Sequence, residues 1–168
     1  MRHRHAQRAA RHLLYPRRRL KRIFTSHALD RIEAAIRESE RNHRAELRFV
    51  VEGGLDAIPV WLGLTPRDRA IELFSQLRVW DTVENNGVLI YVQMADRDIE
   101  IVADRALSAA VPQREWDEVC RRMEHRFRAG EYEAGALEAI ASVSAVLARH
   151  FPPGAHDVDE LPDRPLII

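Results

Sequence analysis

At 168 residues, 46% hydrophobic and 31% charged, the chain has the size and apolar content of one globular domain with a single buried core, which excludes wholesale disorder. The formal net charge of zero conceals a segregation: residues 1–24 carry eight arginines and one lysine with no acid, leaving 17 bases against 26 acids, a net −9, in the rest. Cys120 stands alone, so an internal disulfide is excluded and a reducing compartment is allowed.

The opening MRHRHAQRAARHLLYPRRR has neither the apolar core nor the small-residue cleavage site of a secretory signal. No apolar run approaches the ~20 residues that cross a bilayer. A cytoplasmic location is the expectation.

In chain order, residues 1–24 read as a basic flexible arm. Ala6 to Tyr15 has helical character and Pro16 ends it; Arg17, Arg18, Arg19, Lys21 and Arg22 form a charge run that attracts polyanions. Residues 25–151 read as the folded α/β body. Ser26 is the expected N-cap of a helix carrying Leu29, Ile32 and Ile36 at helical spacing and reaching about His43. Glu46 to Glu52 alternates as a strand and Gly53-Gly54 ends it. Thr65-Pro66 starts a second helix, a capping hydroxyl followed by proline at the first helical position, with Leu73, Phe74, Leu77 and Trp80 as its expected buried stripe.

A polar loop, Asp81 to Asn86, leads through Gly87 into Val88 to Met94, whose near-continuous apolar run is that of a strand covered on both faces. A turn at Ala95 to Asp98 returns the chain through Ile99 to Val102. A helix from Pro112 to Gly130 carries Trp116, Val119, Cys120, Met123 and Phe127 on one face. An alanine-rich helix from about Glu133 to His150 follows, with Leu137, Ile140, Ser144 and Leu147 as its face. Residues 152–168 read as an acidic, proline-containing tail. Its apolar end, Leu166 to Ile168, is expected to be disordered or to form a strand on a neighbour. A right-handed crossover from the first strand to the second, then a hairpin, implies a small mixed sheet with helices on both faces: a three-layer αβα sandwich.

Centring the hairpin between Asp96 and Arg97 pairs Met94 with Ile99, Val92 with Ile101, Tyr91 with Val102 and Gln93 with Glu100, apolar against apolar and polar against polar. Continued, the register sets Leu89 opposite Asp104 and Val88 opposite Arg105. Two polar segments then meet at one sheet end. Asp81, Asn85, Asn86 and Asp104 are the candidate oxygen ligands for a hard cation, Ca²⁺ or Mg²⁺, with Trp80, Glu84 and Arg105 as adjoining binding residues. The competing reading makes Asn85, Asn86 and Gly87 turn residues and Asp104 a helix cap.

Asp96-x-Asp98 has the spacing of an aspartate-phosphatase nucleophile motif, but that motif leads into a helix and this one leads into a paired strand, so a hairpin turn is the better reading. Cys120 reads as a core residue. The eight histidines show no zinc spacing.

The run Asn85-Asn86-Gly87-Val88-Leu89-Ile90-Tyr91-Val92, then Asp96-Arg97, then Ile99-Glu100-Ile101-Val102, resembles the TPM domain, in its short bacterial type. Phe127-Arg128-Ala129-Gly130-Glu131-Tyr132 with Gly135 resembles the family's F-x-x-G-x-Y-x-x-G element, and the likeness covers about Phe24 to Phe151. It implies an αβα sandwich, divalent-cation binding as in some members, and the acid phosphatase activity proposed for a thylakoid-lumen branch. The chain departs from the family at Ser26, where relatives often carry aspartate. It departs again at Val102-Ala103-Asp104-Arg105-Ala106-Leu107, where many carry a glycine-rich VGxGLE segment; Asp104 is then the candidate replacement ligand.

With no convincing catalytic set, the favoured function is that of an accessory domain binding a protein partner, with a divalent cation as candidate cofactor. A metal-dependent phosphatase using Asp81 and Asp104 is the alternative. A third reading docks the basic arm on an anionic membrane surface; nucleic acid is disfavoured because Tyr15 is the arm's only ring before Phe24.

Overall fold

A computed structural model describes residues 2–154 and 159–168. The chain opens with α1 (Arg2–Leu13) and α2 (Arg17–Ile23), so the basic segment forms two helices on either side of Pro16. α3 (Ser26–Glu40) follows. Its N-cap is Thr25, whose side chain accepts from Ala28 N, one residue before the Ser26 expected from sequence. β1 (Glu46–Glu52) has the expected bounds. α4 (Ala57–Trp61) is a short helix that the sequence pattern did not suggest. α5 (Pro66–Gln76) begins with a full capping box: Thr65 accepts from Asp68 N and the Asp68 carboxylate receives Thr65 N.

β2 (Gly87–Gln93) and β3 (Asp98–Ala103) make the hairpin, and α6 (Arg105–Ala110), α7 (Gln113–Arg128) and α8 (Tyr132–His150) close the domain. The end of the chain returns as β4 (Leu166–Ile167), parallel to β1. The sheet is therefore four-stranded and mixed, in the order β3-β2-β1-β4. The end expected to be disordered or to form a strand on a neighbour is a strand of the protein's own sheet.

Strand alternation divides the core in two. Leu47, Phe49 and Val51 of β1, Val88, Ile90 and Val92 of β2, and Ile99 and Ile101 of β3 pack with α2, α3, α7 and α8. Val50, Leu89, Tyr91 and Val102 point the other way and pack on Ala70 and Leu73 of α5. This is a three-layer αβα arrangement. Phe24, Phe127 and Tyr132 form an aromatic cluster at the larger core's edge, with Phe127 and Tyr132 centroids 5.0 Å apart. Trp80 is not in the stripe expected of it: it lies beyond the end of α5 and is 47% exposed.

The hairpin register differs from the expected one by two residues. Val92 faces Ile99 and Tyr91 faces Glu100. A shift of two keeps every side chain on its own face, which is why apolar matching could not detect it. The cause lies in the neighbouring strand: Met94 N and Ala95 N donate to Glu52 O and Gly53 O, so these residues prolong the contact with β1 instead of folding onto β3. Arg97 closes the four-residue loop at φ 58°. No helix among the described residues is long and apolar enough to cross a membrane.

Candidate functional site

The polar corner forms at the start of β2. Gly87 passes so close to Val79 that a Cβ there would lie 1.9 Å from its carbonyl oxygen. Asn85 takes φ 53°, a left-handed conformation that asparagine tolerates. Its side-chain oxygen accepts from the Arg105 guanidinium at 2.6 Å and its backbone oxygen accepts from Ala106 N at 3.1 Å. Asp104 N donates to Gly87 O at 2.9 Å, and Asp104 Oδ1 caps α6 by accepting from Arg105 N at 2.7 Å. Asn86 Nδ2 donates to Arg44 O, and Asn86 N donates to Thr82 Oγ1 at 3.0 Å. After these bonds two oxygens, Asn86 Oδ1 and Asp104 Oδ2, remain buried with no donor.

The structure thus joins Asn85 to Arg105 and sets Asp104 against Gly87 beside them, while Asn86 bonds to Arg44 and Thr82. The other predicted residues make their contacts elsewhere. Asp81 is exposed and lies 3.9 Å from Arg78, Glu84 pairs with Arg44 at 2.8 Å, and Trp80 Nε1 donates to Ser75 O at 3.3 Å.

At the opposite end of the sheet, Asp96 anchors α1. Its carboxylate receives Arg8 at 2.7 Å and Arg11 at 2.5 Å, and His12 Nε2 lies 2.9 Å from it. Arg8 also donates to Leu64 O at 2.6 Å, and the other His12 nitrogen accepts from Leu55 N at 3.0 Å. Gly54 lies flat against this junction, where a Cβ would meet His12 O at 2.3 Å. Burial alone would raise the Asp96 pKa, yet the bonds from His12, Arg8 and Arg11 hold it well below the usual carboxylate range. This engaged carboxylate is the first residue of the Asp-x-Asp pattern. The second, Asp98, is pushed up to about 6 by burial and by Glu100 and Glu124. Burial and nearby carboxylates push the Cys120 thiol up to about 12, so it is not a nucleophile at neutral pH.

Two further polar assemblies escaped the sequence reading. On the α5 side of the sheet Tyr91 donates to Glu52 at 2.7 Å and Arg69 grips the same carboxylate through two bonds of 3.0 Å. Burial and the Glu52 charge push the Tyr91 pKa up. On the other flank of β1, Arg48 donates to Pro162 O at 2.6 Å and Arg164 O at 2.5 Å, and Leu161 N donates to Glu46 at 3.0 Å. These bonds hold the chain end against the domain. Burial pushes Glu40 up to about 9 and Glu46 up to about 7 in that seam.

A cavity of about 730 Å³ lies past the end of β1, between the basic helices and α4; Leu13, Arg17, Lys21, Ala57 and Pro59 are on its wall. α1 and α4 pack on each other, and the chain in and just after them exposes several large apolar side chains. Leu13, Leu14, Ile58 and Leu62 are 72%, 76%, 75% and 79% exposed, and Trp61 is exposed too. The sequence-predicted polyanion residues Arg17, Arg18, Arg19, Lys21 and Arg22, which follow α1 in the chain, are all exposed, and none is ion-paired among the described residues.

The model of the TPM domain family matches residues 19–146. The chain belongs to the TPM domain family. A solved relative, the BA42 protein of the psychrophilic bacterium Bizionia argentinensis, is 29% identical with a TM-score of 0.76, over 86% of this chain and 94% of that one. The N-terminal domain of a P. gingivalis protein, 20% identical with a TM-score of 0.62 over 79% of this chain and 82% of that one, shares the fold. No curated protein matches. In this TPM domain α1 and the returning segment 159–168 lie outside the matched stretch.

Proposed function

We propose that this TPM domain is a non-catalytic docking module whose partner is an anionic membrane surface, met by the face made of α1, α2 and α4. The observation that carries the reading is the juxtaposition of four largely exposed aliphatic side chains with an unpaired basic helix. Soluble domains expose single apolar residues freely, but a larger apolar patch rimmed by polar residues marks a binding site. Aliphatic groups enter the acyl boundary while arginine and lysine meet anionic headgroups, and Trp61 suits the interface between them. Each basic residue contributes about 1 kcal/mol beside an anionic leaflet, and each aliphatic side chain contributes roughly 1.5–3 kcal/mol when fully buried. After the cost of association this supports reversible attachment.

Vesicle flotation tests it. Vesicles containing phosphatidylglycerol should carry the protein, phosphatidylcholine vesicles should not, and added salt should weaken binding. The exposed-site variants L14S/L62S and R18E/R22E should each release it. Absence of binding, or binding untouched by both variants, contradicts the reading.

A second reading has its own observation. Asn86 Oδ1 and Asp104 Oδ2 are buried acceptors without donors, and orphaned oxygens suit a hard cation. Together with Asn85 they are the residues that would hold Ca²⁺ or Mg²⁺ at the corner. The metal-dependent phosphatase is less well supported, because its other ligand, Asp81, is exposed beside Arg78. Magnesium or calcium titration followed by amide chemical shifts should move Asn85, Asn86 and Asp104 together; unmoved signals contradict cation binding there.

A further inference from the structure

Away from both sites, three carboxylates from separate parts of the chain converge beside β1. Glu40 stands on the last turn of α3, and Asp159 and Asp163 stand on the segment leading into β4. Each offers an oxygen, and the three oxygens lie within 4.8 Å of one another. We infer that Glu40, Asp159 and Asp163 form a divalent-cation site that fastens the chain's returning segment to the domain.

A group of acids alone is a common surface feature, and the decisive residue here is Asp163. It is only 7% exposed, and its Oδ1 is buried with no hydrogen-bond donor. Its other oxygen accepts from Arg37 Nε at 3.1 Å. Nearby donors are directed elsewhere: the Arg48 guanidinium serves the carbonyls of Pro162 and Arg164, and Leu161 N serves Glu46. Glu40 Oε1 accepts one bond, from Leu47 N at 3.1 Å. Burial and the neighbouring carboxylates push Glu40 towards its protonated form beside Asp163, and Arg37 is the cation that bonds to the cluster. Burying carboxylate charge there is costly unless an opposite charge meets it, and a bound cation would replace the Glu40 proton between the carboxylates.

The chemistry selects a hard cation, since every donor atom is a carboxylate oxygen. Calcium suits it better than magnesium. Asp159 is exposed, which leaves one side open to water, and calcium accepts irregular oxygen shells of six to eight ligands where magnesium requires near-ideal octahedra. Because two ligands lie just before β4 and one lies on α3, a bound ion would tie β4 against β1 independently of the strand's few backbone bonds.

The test is calcium chloride titration of the full chain by calorimetry, with thermal unfolding in parallel. The protein should bind about one calcium and unfold at a temperature several degrees higher when loaded. E40Q, whose amide oxygen can still accept from Leu47 N, and D163N should remain folded by circular dichroism and lose both effects. D104N, at the other corner, should keep them. No heat of binding, or binding retained in E40Q, overturns the inference. Binding lost only in D104N overturns it as well and assigns the ion to the Asn86 corner.

Discussion

Asp96 Oδ2 lies 2.9 Å from His12 Nε2, while His12 Nδ1 accepts the backbone N–H of Leu55 at 3.0 Å. One buried imidazole therefore ties α1 to the hairpin turn and to the loop after β1. The docking face depends on this tie, because Leu13 and Leu14 follow His12 directly and α1 packs on α4 through Ala9, Leu55 and Val60.

Replacing Asp96 by asparagine should destabilise the protein by about 2 kcal/mol, the scale of charge-assisted hydrogen bonds lost from a buried acceptor. Hydrogen exchange should quicken across α1 and leave α7 and α8 unchanged. The pH dependence has a definite sign. The folded pKa of Asp96 is depressed below its ordinary 3.8, so its contribution is full above about that pH and is lost as the pH falls through the folded value. Acid unfolding curves of D96N should lack this part of the low-pH slope.

His43 gives the opposite kind of variant. It is fully buried, neither ring nitrogen has a partner among the described residues, and burial lowers its pKa from 6.5 to about 4. The folded state binds fewer protons than the unfolded chain in that window, so stability falls as the pH drops from 6.5 towards 4. His43→Leu should remove this slope and be neutral or stabilising, by about 1 kcal/mol at pH near 5, in urea unfolding.

Gly87→Ala should cost about 3 kcal/mol, because the obstruction is the backbone oxygen of Val79 and neither strand entry nor α5 can shift freely. Chemical denaturation measures the loss. Backbone displacement should appear first in the amide signals of Asn85, Asn86 and Asp104.

What could be read from the sequence was local. The Thr65-Pro66 cap, the bounds of β1 and the stop at Gly130 each follow from a few adjacent residues, and the structure has all three. The convergence of Asn85, Asp104 and Arg105 also survived the two-residue error in register, because both registers bring the start of β2 beside the end of β3. What escaped depends on distant partners. α2 is held by Leu20 and Phe24 in the main core, a fact hidden by its run of arginines. β4 is two residues long and gains meaning only from Val50 and Val51 beside it. The role of Asp96 required knowing that Arg8, Arg11 and His12, one face of α1, lie over the hairpin.

The docking claim is tested most directly by paramagnetic broadening of amide signals with spin-labelled vesicles that contain phosphatidylglycerol. Leu13, Leu14, Ile58, Trp61 and Leu62 should broaden first, with Arg18 and Arg22 next to them, while Asn85, Asp104 and Glu115 stay sharp. Broadening spread evenly over the protein, centred on another face, or absent would contradict it.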